Sequence, residues 1–200
     1  MYGRSSEPAP LPPVAVKIVI SGGFGVGKTT FVGAISEIEP LVTEAEMTER
    51  SIGVDDTSAV SAKTTTTVAL DFGRITLDDA LLLYLFGTPG QDRFAFLWDD
   101  LVDGALGAIV LLDTRRIEDC FPAIDYFEEH EITFLIEVNT FEQAQRFDLD
   151  EVRDALGIGP DVPVLECDAR RRESVKQILV ALTEEVLAKR LSRQRPVPTW

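Results

Sequence analysis

The sequence has few of the residues that build disulfide scaffolds. Its 200 residues include two cysteines, Cys120 and Cys167, and a single histidine, His130. Two cysteines are too few for a disulfide framework, so we expect two buried, reduced thiols. Because His130 follows Glu128 and Glu129 at a predicted helix end, we interpret it as a surface residue.

The sequence is also poor in positive charge and has no long apolar run. It contains 19 lysine and arginine residues against 34 aspartate and glutamate residues, a formal net charge of −15 at pH 7. Nonspecific binding to nucleic acid or to an anionic membrane needs a positive surface, so this balance argues against both. No apolar run approaches about 20 residues, the length that crosses a bilayer. We therefore expect a cytoplasmic protein with no nucleic-acid partner and, at most, peripheral membrane association through a partner.

What the sequence does contain is one domain between two short termini. Residues 1–13 carry four prolines and predict a flexible leader, and residues 192–200 predict a flexible tail. Apolar residues make up 45% of the chain, enough for one domain over residues 14–191. Residues 39–63 form an acidic, irregular segment that is too long for a routine connection, so they are either functional or disordered.

Strands and helices are predicted to alternate along this domain. Apolar, β-branched runs predict buried strands, and apolar residues at helical spacing predict helices. The second and third strands are expected to pair through a turn around Gly73. The pattern predicts an α/β fold of three layers, with a mostly parallel six-stranded sheet and one antiparallel strand. The strands are predicted at 14–23, 65–72, 80–87, 107–113, 131–139 and 162–169, and the helices at 28–38, 93–102, around 117–124 and at about 173–191.

A glycine-rich loop after the first strand carries the most specific chemistry. The segment GGFGVGKT fits the pattern G-x-x-x-x-G-K-[ST]. Glycines let the backbone turn its N–H groups toward a phosphate, and Lys28 adds a point charge for the β- and γ-phosphates. The Thr29 hydroxyl is a Mg²⁺ ligand, and the following helix adds the positive end of its dipole. The alternative is a chance glycine turn, but the strand before it and the helix after it favour phosphate binding. The predicted phosphate-binding residues here are Gly22, Gly23, Phe24, Gly25, Val26, Gly27, Lys28, Thr29 and Thr30.

Further motifs follow in the order found in small GTPases. Residues 67–72 (TVALDF) resemble the T-x-G-x-D-F stretch that ends switch I, and residues 86–91 (FGTPGQ) resemble the D-T-A-G-Q stretch that opens switch II. Residues 139–142 (NTFE) stand in place of the N-K-x-D motif, and residues 167–170 (CDAR) in place of S-A-K. The sequence therefore resembles the Ras-like small GTPase domain over about residues 14–190, which implies a P-loop NTPase fold.

Within that class the sequence resembles the bacterial MglA-type branch and, more narrowly, the GTP-binding proteins of actinobacterial conservon operons (CvnD-like). The stretches TTTTVALDFGRI, YLFGTPGQDRF and VPVLECDARRRESVK carry this narrower resemblance. It implies binding of GTP/GDP and Mg²⁺ in cytoplasmic signal transduction. It also implies a roadblock/LC7-type partner and an operon-encoded sensor that resembles a histidine kinase.

The resemblance also implies roles for individual residues. Thr67 is expected to bind Mg²⁺ together with Thr29, and the Gly90 amide is expected to hold the γ-phosphate. Gln91 is expected to be the catalytic residue, because it matches the side chain that positions water. The residues expected to bind guanine are Asn139, Thr140, Glu142, Asp168, Ala169 and Arg170.

Four residues depart from the small-GTPase pattern, among them Thr140, which replaces the lysine whose stem covers the base. Gly87 stands where an aspartate holds Mg²⁺ through a water, so we expect weaker metal binding or another acid; the MglA branch also lacks this aspartate. Phe24 fills the loop position that an inserted arginine needs, so hydrolysis is expected to be slow. Glu142 replaces the aspartate that reads guanine, so the guanine preference is expected to persist but to be blunted.

Other residues have both a functional and a structural interpretation. Asp113 ends an apolar run as a metal-binding acid does, but capping of the next helix is favoured. Arg50 is a candidate arginine supplied in cis, although a solvated surface position is favoured. Phe96 lies off the face that Leu97 and Trp98 share, so part of this aromatic cluster is either partner surface or core.

Three functions remain open from the sequence. The first is a GTP/GDP switch with slow, Mg²⁺-dependent hydrolysis. The second is a nucleotide-dependent binding module without significant hydrolysis, given Gly87 and Phe24. The third is an ATP-using P-loop kinase, which the acidic segment 39–63 disfavours because a kinase lid carries arginines.

Overall fold

A sheet with helices on both faces forms the centre of the structure. The structure is a computed structural model and describes residues 12–39, 41–48, 65–90, 97–142 and 144–193. The strands are β1 (Val14–Gly22), β2 (Leu41–Thr48), β3 (Thr65–Asp78), β4 (Leu81–Gly87), β5 (Ala105–Leu112), β6 (Phe134–Asn139) and β7 (Val164–Cys167). The helices are α1 (Lys28–Ile35), α2 (Trp98–Val102), α3 (Phe121–Glu129), α4 (Leu149–Leu156) and α5 (Arg172–Arg193), with a 3₁₀ turn at Ile117–Cys120.

The strand order across the sheet is β2-β3-β4-β1-β5-β6-β7. β3 pairs antiparallel with both β2 and β4, whereas all the other neighbouring strands run parallel. The predicted α/β fold, with a mostly parallel sheet and one antiparallel strand, is therefore confirmed. The described sheet has one strand more than the six predicted.

The additional strand, β2, lies in the acidic segment that we predicted to be irregular. It pairs along its whole length with the first half of β3. An edge strand needs a backbone partner on one side only, so a polar and acidic sequence can adopt it without a hydrophobic signal. Residues 40 and 49–64 lie outside the described residues, and there the prediction stays a prediction.

The turn between β3 and β4 lies at residues 79–80 and not around Gly73, as we predicted. Gly73 is buried inside β3, opposite Leu85 of β4. A Cβ atom at Gly73 would lie 2.6 Å from Val32 Cγ1 of α1. This glycine therefore allows α1 to pack closely on the strand. In the sequence, a glycine with this role looks the same as a glycine in a turn.

Side chains of the central strands alternate between two cores, one on each face of the sheet. On one face, Ile18 and Ile20 of β1 belong to a cluster that includes Leu182 of α5. On the other face, Val19 belongs to a cluster that includes Phe127 of α3. Because both faces are covered, the central strands are apolar throughout, and the carboxyl ends of the parallel strands meet at one edge where ligands bind.

The predicted leader and tail fall largely outside the described residues. The described chain begins at Pro12, and α5 continues to Arg193, two residues past the predicted domain end. Among the described helices, none is long and apolar enough to cross a membrane.

Two glycine substitutions test the packing of α1 on β3. Gly73→Ala should lower the free energy of unfolding by about 1–3 kcal/mol, because the new methyl group overpacks the contact with Val32. The matched variant Gly33→Ala, at an exposed position within α1, should raise it by about 0.5–1 kcal/mol through helix propensity. Urea denaturation of the three proteins measures both changes, and equal effects would contradict the packing role.

Candidate nucleotide-binding site

The glycine-rich loop connects the end of β1 to the start of α1. Gly22 and Gly27 have φ angles of 133° and 110°, which favour glycine. A Cβ atom at Gly22 would collide with the Leu111 carbonyl oxygen, and one at Gly27 would lie 2.8 Å from Asn139 Nδ2. Both glycines therefore serve the curvature of the loop and its close approach to the ends of β5 and β6.

Lys28 folds back into the loop that precedes it. Its Nζ donates to the carbonyl oxygens of Gly22, at 2.7 Å, and Gly23, at 2.8 Å. Burial lowers the pKa of the Lys28 amine to about 8, and the nearby Asp71 carboxylate partly opposes this shift. An anion bound in the loop would favour the charged amine, so the site is suited to phosphate.

The hydroxyl predicted to bind Mg²⁺ already has a carboxylate partner. Thr29 Oγ1 donates to Asp71 Oδ2 of β3 at 2.9 Å. The sequence motif contains Asp71, but sequence reasoning assigned it no role. Thr67 lies four residues earlier in β3, about 13 Å away along an extended strand. Its side chain lies outside what the structure describes, so its metal role stays a prediction.

Seven of the ten residues predicted to hold phosphate line one cleft of about 350 Å³. Gly22 and Gly23 line a neighbouring cleft instead, and Val26 is buried. Gln91, the predicted catalytic residue, lies outside the described residues, as do Arg50 and Phe96. The cleft is lined by Phe24, Gly25, Gly27, Lys28, Thr29, Thr30, Asp71 and Gly90.

Asn139, at the end of β6, joins the loop to the predicted base-binding segment. Its Nδ2 donates to the Val26 carbonyl oxygen at 2.8 Å, and its Oδ1 accepts from the Ala169 N–H at 3.2 Å. Asn139 is buried, so both halves of its amide are satisfied by protein groups. Ala169, one of the residues expected to bind guanine, donates its backbone N–H to Asn139 in this structure.

A second cleft, of about 440 Å³, opens beside Asn139. It brings together five of the six residues predicted to bind guanine; Asp168 lies at its side, bonded to Arg170. Arg115 also lines it, with its guanidinium 4.3 Å from the centre of the Phe141 ring. The other lining residues are Gly25, Gly27, Thr30, Asn139, Thr140, Glu142, Ala169 and Arg170.

Arg170 lies between the two carboxylates that were predicted to contact guanine. It donates to Glu142 Oε1 at 3.0 Å and to the two Asp168 oxygens at 2.8 and 3.1 Å. The guanidinium holds the pKa of Asp168 below its usual range. Glu142 is 81% exposed, so its ion pair with Arg170 is weak and a ligand can displace it.

Asp113 neither caps the next helix nor approaches the phosphate cleft. It is buried and accepts two hydrogen bonds from the Arg115 guanidinium, at 2.9 and 2.7 Å, which lower its pKa. Its role is to position Arg115 beside the second cleft. Sequence reasoning missed Arg115, because the pairing depends on a turn after β5 and not on a motif.

The remaining predictions concern residues outside the clefts or at their margins. Cys120 and Cys167 are buried free thiols, as expected. His130 is exposed and stacks on Tyr126, with 4.1 Å between the ring centres. Trp98 is buried against Tyr126 and Phe127, which supports the core interpretation for this part of the aromatic cluster.

Comparisons with known sequences identify the family. A sequence model of the family described as "Conserved hypothetical ATP binding protein" matches residues 20–189. Among curated proteins, "Uncharacterized protein MJ1339" of Methanocaldococcus jannaschii is 35% identical over 101 residues. That match covers 50% of this chain and 53% of the relative, so it spans about half the length of that protein.

Comparisons with solved structures give the fold. The FeoB G domain of Methanococcus jannaschii superposes with a TM-score of 0.57 at 14% identity, covering 86% of this chain and 98% of that one. The FeoB G domain of T. maritima gives a TM-score of 0.56 at 20% identity, covering 88% and 98%. The apo cytosolic domain of the same transporter gives 0.59 at 18%, covering 94% and 67%. At these identities the similarity is one of fold.

The family match and the geometry agree on nucleotide binding. The matched region contains the phosphate loop, the buried lysine and the cleft beside Asn139. Its 170 residues, from 20 to 189, are most of the chain. The chain is thus a nucleotide-binding P-loop NTPase with a G-domain-like fold, and it belongs to the family described as conserved hypothetical ATP binding protein.

Proposed function

We propose that this protein is a guanine-nucleotide switch that binds GTP and GDP with Mg²⁺ and hydrolyses GTP slowly. The observation that carries the proposal is the pair of carboxylates, Glu142 and Asp168, gathered by Arg170 beside the second cleft. Guanine presents two hydrogen-bond donors, N1–H and N2–H₂, and a carboxylate can accept a hydrogen bond from each. Adenine presents an unprotonated N1, which a carboxylate repels.

The Asn139 bridge supports the same proposal. It ties the phosphate loop to the segment that begins at Asp168, so the two ends of a nucleotide would lie at a set distance. The solved neighbours are described as G domains, and this shared fold supports a similar use of the site. The family description names ATP, so ATP is the competing ligand.

The phosphate end of the site supports slow hydrolysis. Phe24 is 67% exposed at the loop tip, and its carbonyl oxygen accepts a hydrogen bond of 2.7 Å from Arg116. We expect the phenyl ring to crowd the space that an activator's arginine would enter. Lys28 and the loop amides would hold the phosphates, Thr29 would ligate Mg²⁺, and that ion would neutralise charge on the β- and γ-phosphates.

We propose further that the protein works as an MglA-type, conservon-like switch in bacterial signalling. Its expected partners are a roadblock/LC7-type protein, which would order the segment after Gly90, and a sensor resembling a histidine kinase. The motif stretches that carry the resemblance support this assignment. A partner acting in this way would speed hydrolysis through Gln91 without inserting an arginine.

Competition between nucleotides tests the proposed base preference. GTP should displace labelled GDP at lower concentration than ATP, by about 5- to 150-fold, the discrimination of one good bidentate contact. Glu142→Gln should reduce this ratio about tenfold, whereas Glu173→Gln, an acid of α5 outside the cleft, should leave it unchanged. Equal affinity of the unmodified protein for ATP and GTP would refute the guanine assignment.

The pH dependence of binding tests the role of Lys28. Because its pKa in the free protein is about 8, GTP affinity should fall about tenfold between pH 7 and pH 9 as the free amine loses its proton. Bound phosphate favours the protonated amine, so binding at pH 9 should take up a proton, detectable by calorimetry in two buffers of different ionisation enthalpy. A flat profile would show that the Lys28 charge does not contribute.

Single-turnover measurements test the hydrolysis proposal. The purified protein should release phosphate from GTP more slowly than about 10⁻² s⁻¹, the rate of a G protein with its own arginine in cis. Phe24→Gly should leave this rate unchanged, because opening the loop adds no charged group. Faster turnover by the unmodified protein would contradict the proposed mechanism and leave nucleotide binding intact.

A further inference from the structure

The carboxylate of Asp71 lies beside the hydroxyl that begins the phosphate-binding helix. Asp71 and Thr29 are 42 residues apart in the chain, yet Thr29 Oγ1 donates to Asp71 Oδ2 at 2.9 Å. Asp71 belongs to β3, the antiparallel strand, whereas the acid of the usual pattern would end β4. The two positions reach the same cleft from neighbouring strands.

Gly87 makes room for this arrangement. Phe72 pairs with Phe86 across β3 and β4, so Asp71 lies across from Gly87. A Cβ atom at Gly87 would lie 2.9 Å from Asp71 Cβ and 3.0 Å from Asp71 Oδ2. A side chain on β4 would therefore collide with the Asp71 side chain, and only one of the two strands can supply a carboxylate here.

The oxygen atoms around this cleft suit a magnesium ion carried by a nucleotide. Mg²⁺ takes one or two protein oxygens together with phosphate oxygens and waters. The described lining residues of the phosphate cleft include one acid, Asp71, and Thr29 supplies a hydroxyl beside it. No group of three or more metal-binding side chains occurs in the described part of the chain, so a cage made of protein alone is not offered there.

We infer that Asp71 supplies the carboxylate that holds nucleotide-bound Mg²⁺, in place of the acid missing at Gly87. The carboxylate thus reaches the metal from β3, and Gly87 is the glycine that permits it. This inference rests on the proposed binding of a magnesium nucleotide, but it does not depend on whether the base is guanine or adenine.

A structural role for Asp71 makes a different prediction from a metal role. If Asp71 only orients Thr29 and the start of α1, removing its charge should change nucleotide affinity equally with and without Mg²⁺. If Asp71 holds the metal, nucleotide affinity should change only when Mg²⁺ is present. In EDTA, loss of a negative charge beside the phosphates should leave affinity unchanged or increase it.

The test measures the affinity for fluorescently labelled GDP in excess Mg²⁺ and in EDTA, followed by a Mg²⁺ titration. Asp71→Asn keeps the shape of the side chain and an acceptor for Thr29. It should raise the Mg²⁺ concentration that gives half of the full effect on nucleotide affinity at least about tenfold, as expected for loss of a ligand to a hard cation. Asp78→Asn, an acid at the far end of β3, is the matched control and should behave as the unmodified protein. Labelled ADP replaces labelled GDP if the competition experiment favours adenine.

A reciprocal exchange tests the geometry. Gly87→Asp alone should lower the free energy of unfolding and should not strengthen the Mg²⁺ effect, because the new side chain meets Asp71. The double variant Asp71→Gly, Gly87→Asp moves the carboxylate to β4 and removes the collision. It should recover stability relative to Gly87→Asp and restore part of the Mg²⁺ effect.

Each outcome decides between the roles. The inference would be overturned if Mg²⁺ raised the nucleotide affinity of Asp71→Asn as much as that of the unmodified protein. It would also be overturned if Asp71→Asn lost the same nucleotide affinity with and without Mg²⁺. Either result would leave nucleotide binding standing. An unmodified protein that binds labelled nucleotide equally in Mg²⁺ and in EDTA would overturn it as well. Failure of the unmodified protein to bind either nucleotide would instead refute the proposed function itself.

Discussion

The buried amide of Asn139 holds together the parts of the site that come from distant regions of the chain. It bonds Val26, 113 residues away, and Ala169, 30 residues away, at 2.8 and 3.2 Å. A buried amide that lost one of these partners would leave a polar group unsatisfied, at a cost of about 1–3 kcal/mol. The bridge therefore sets the spacing between the phosphate cleft and the second cleft, and the remaining site residues are arranged around that spacing.

Charge at the site is organised locally, in a protein whose net charge is −15. The buried amine of Lys28 lies within the loop, and several acids near the loop and the second cleft are paired with arginines, whereas Asp71 accepts from the Thr29 hydroxyl. Since exposed charges are screened over about 8 Å at physiological ionic strength, distant acids contribute little to the potential at the loop. The site can thus accept a polyanion despite the acidic surface. The pairs are Arg115 with Asp113, Arg116 with Asp119, and Arg170 with both Glu142 and Asp168.

One buried acid is not paired in this way. Glu137 lies in β6, two residues before Asn139, and within the described residues neither of its carboxylate oxygens has a hydrogen-bond partner. Burial raises the pKa of Glu137 well above its usual value, which favours the neutral acid. A neutral acid can lie in the core below Asn139 without the cost of a buried charge.

The sequence alone determined which segments form the parallel strands and where the phosphate loop lies. Both depend on local patterns: apolar runs, glycine spacing and a lysine. It did not reveal β2, whose stability comes from backbone pairing with β3, nor the packing role of Gly73, which depends on α1. The partners of Asp71 and Arg115 were likewise decided by tertiary structure. Contacts between residues far apart in the chain leave no periodic signal, so only the folded sheet brings Asp71 across from Gly87 and next to Thr29.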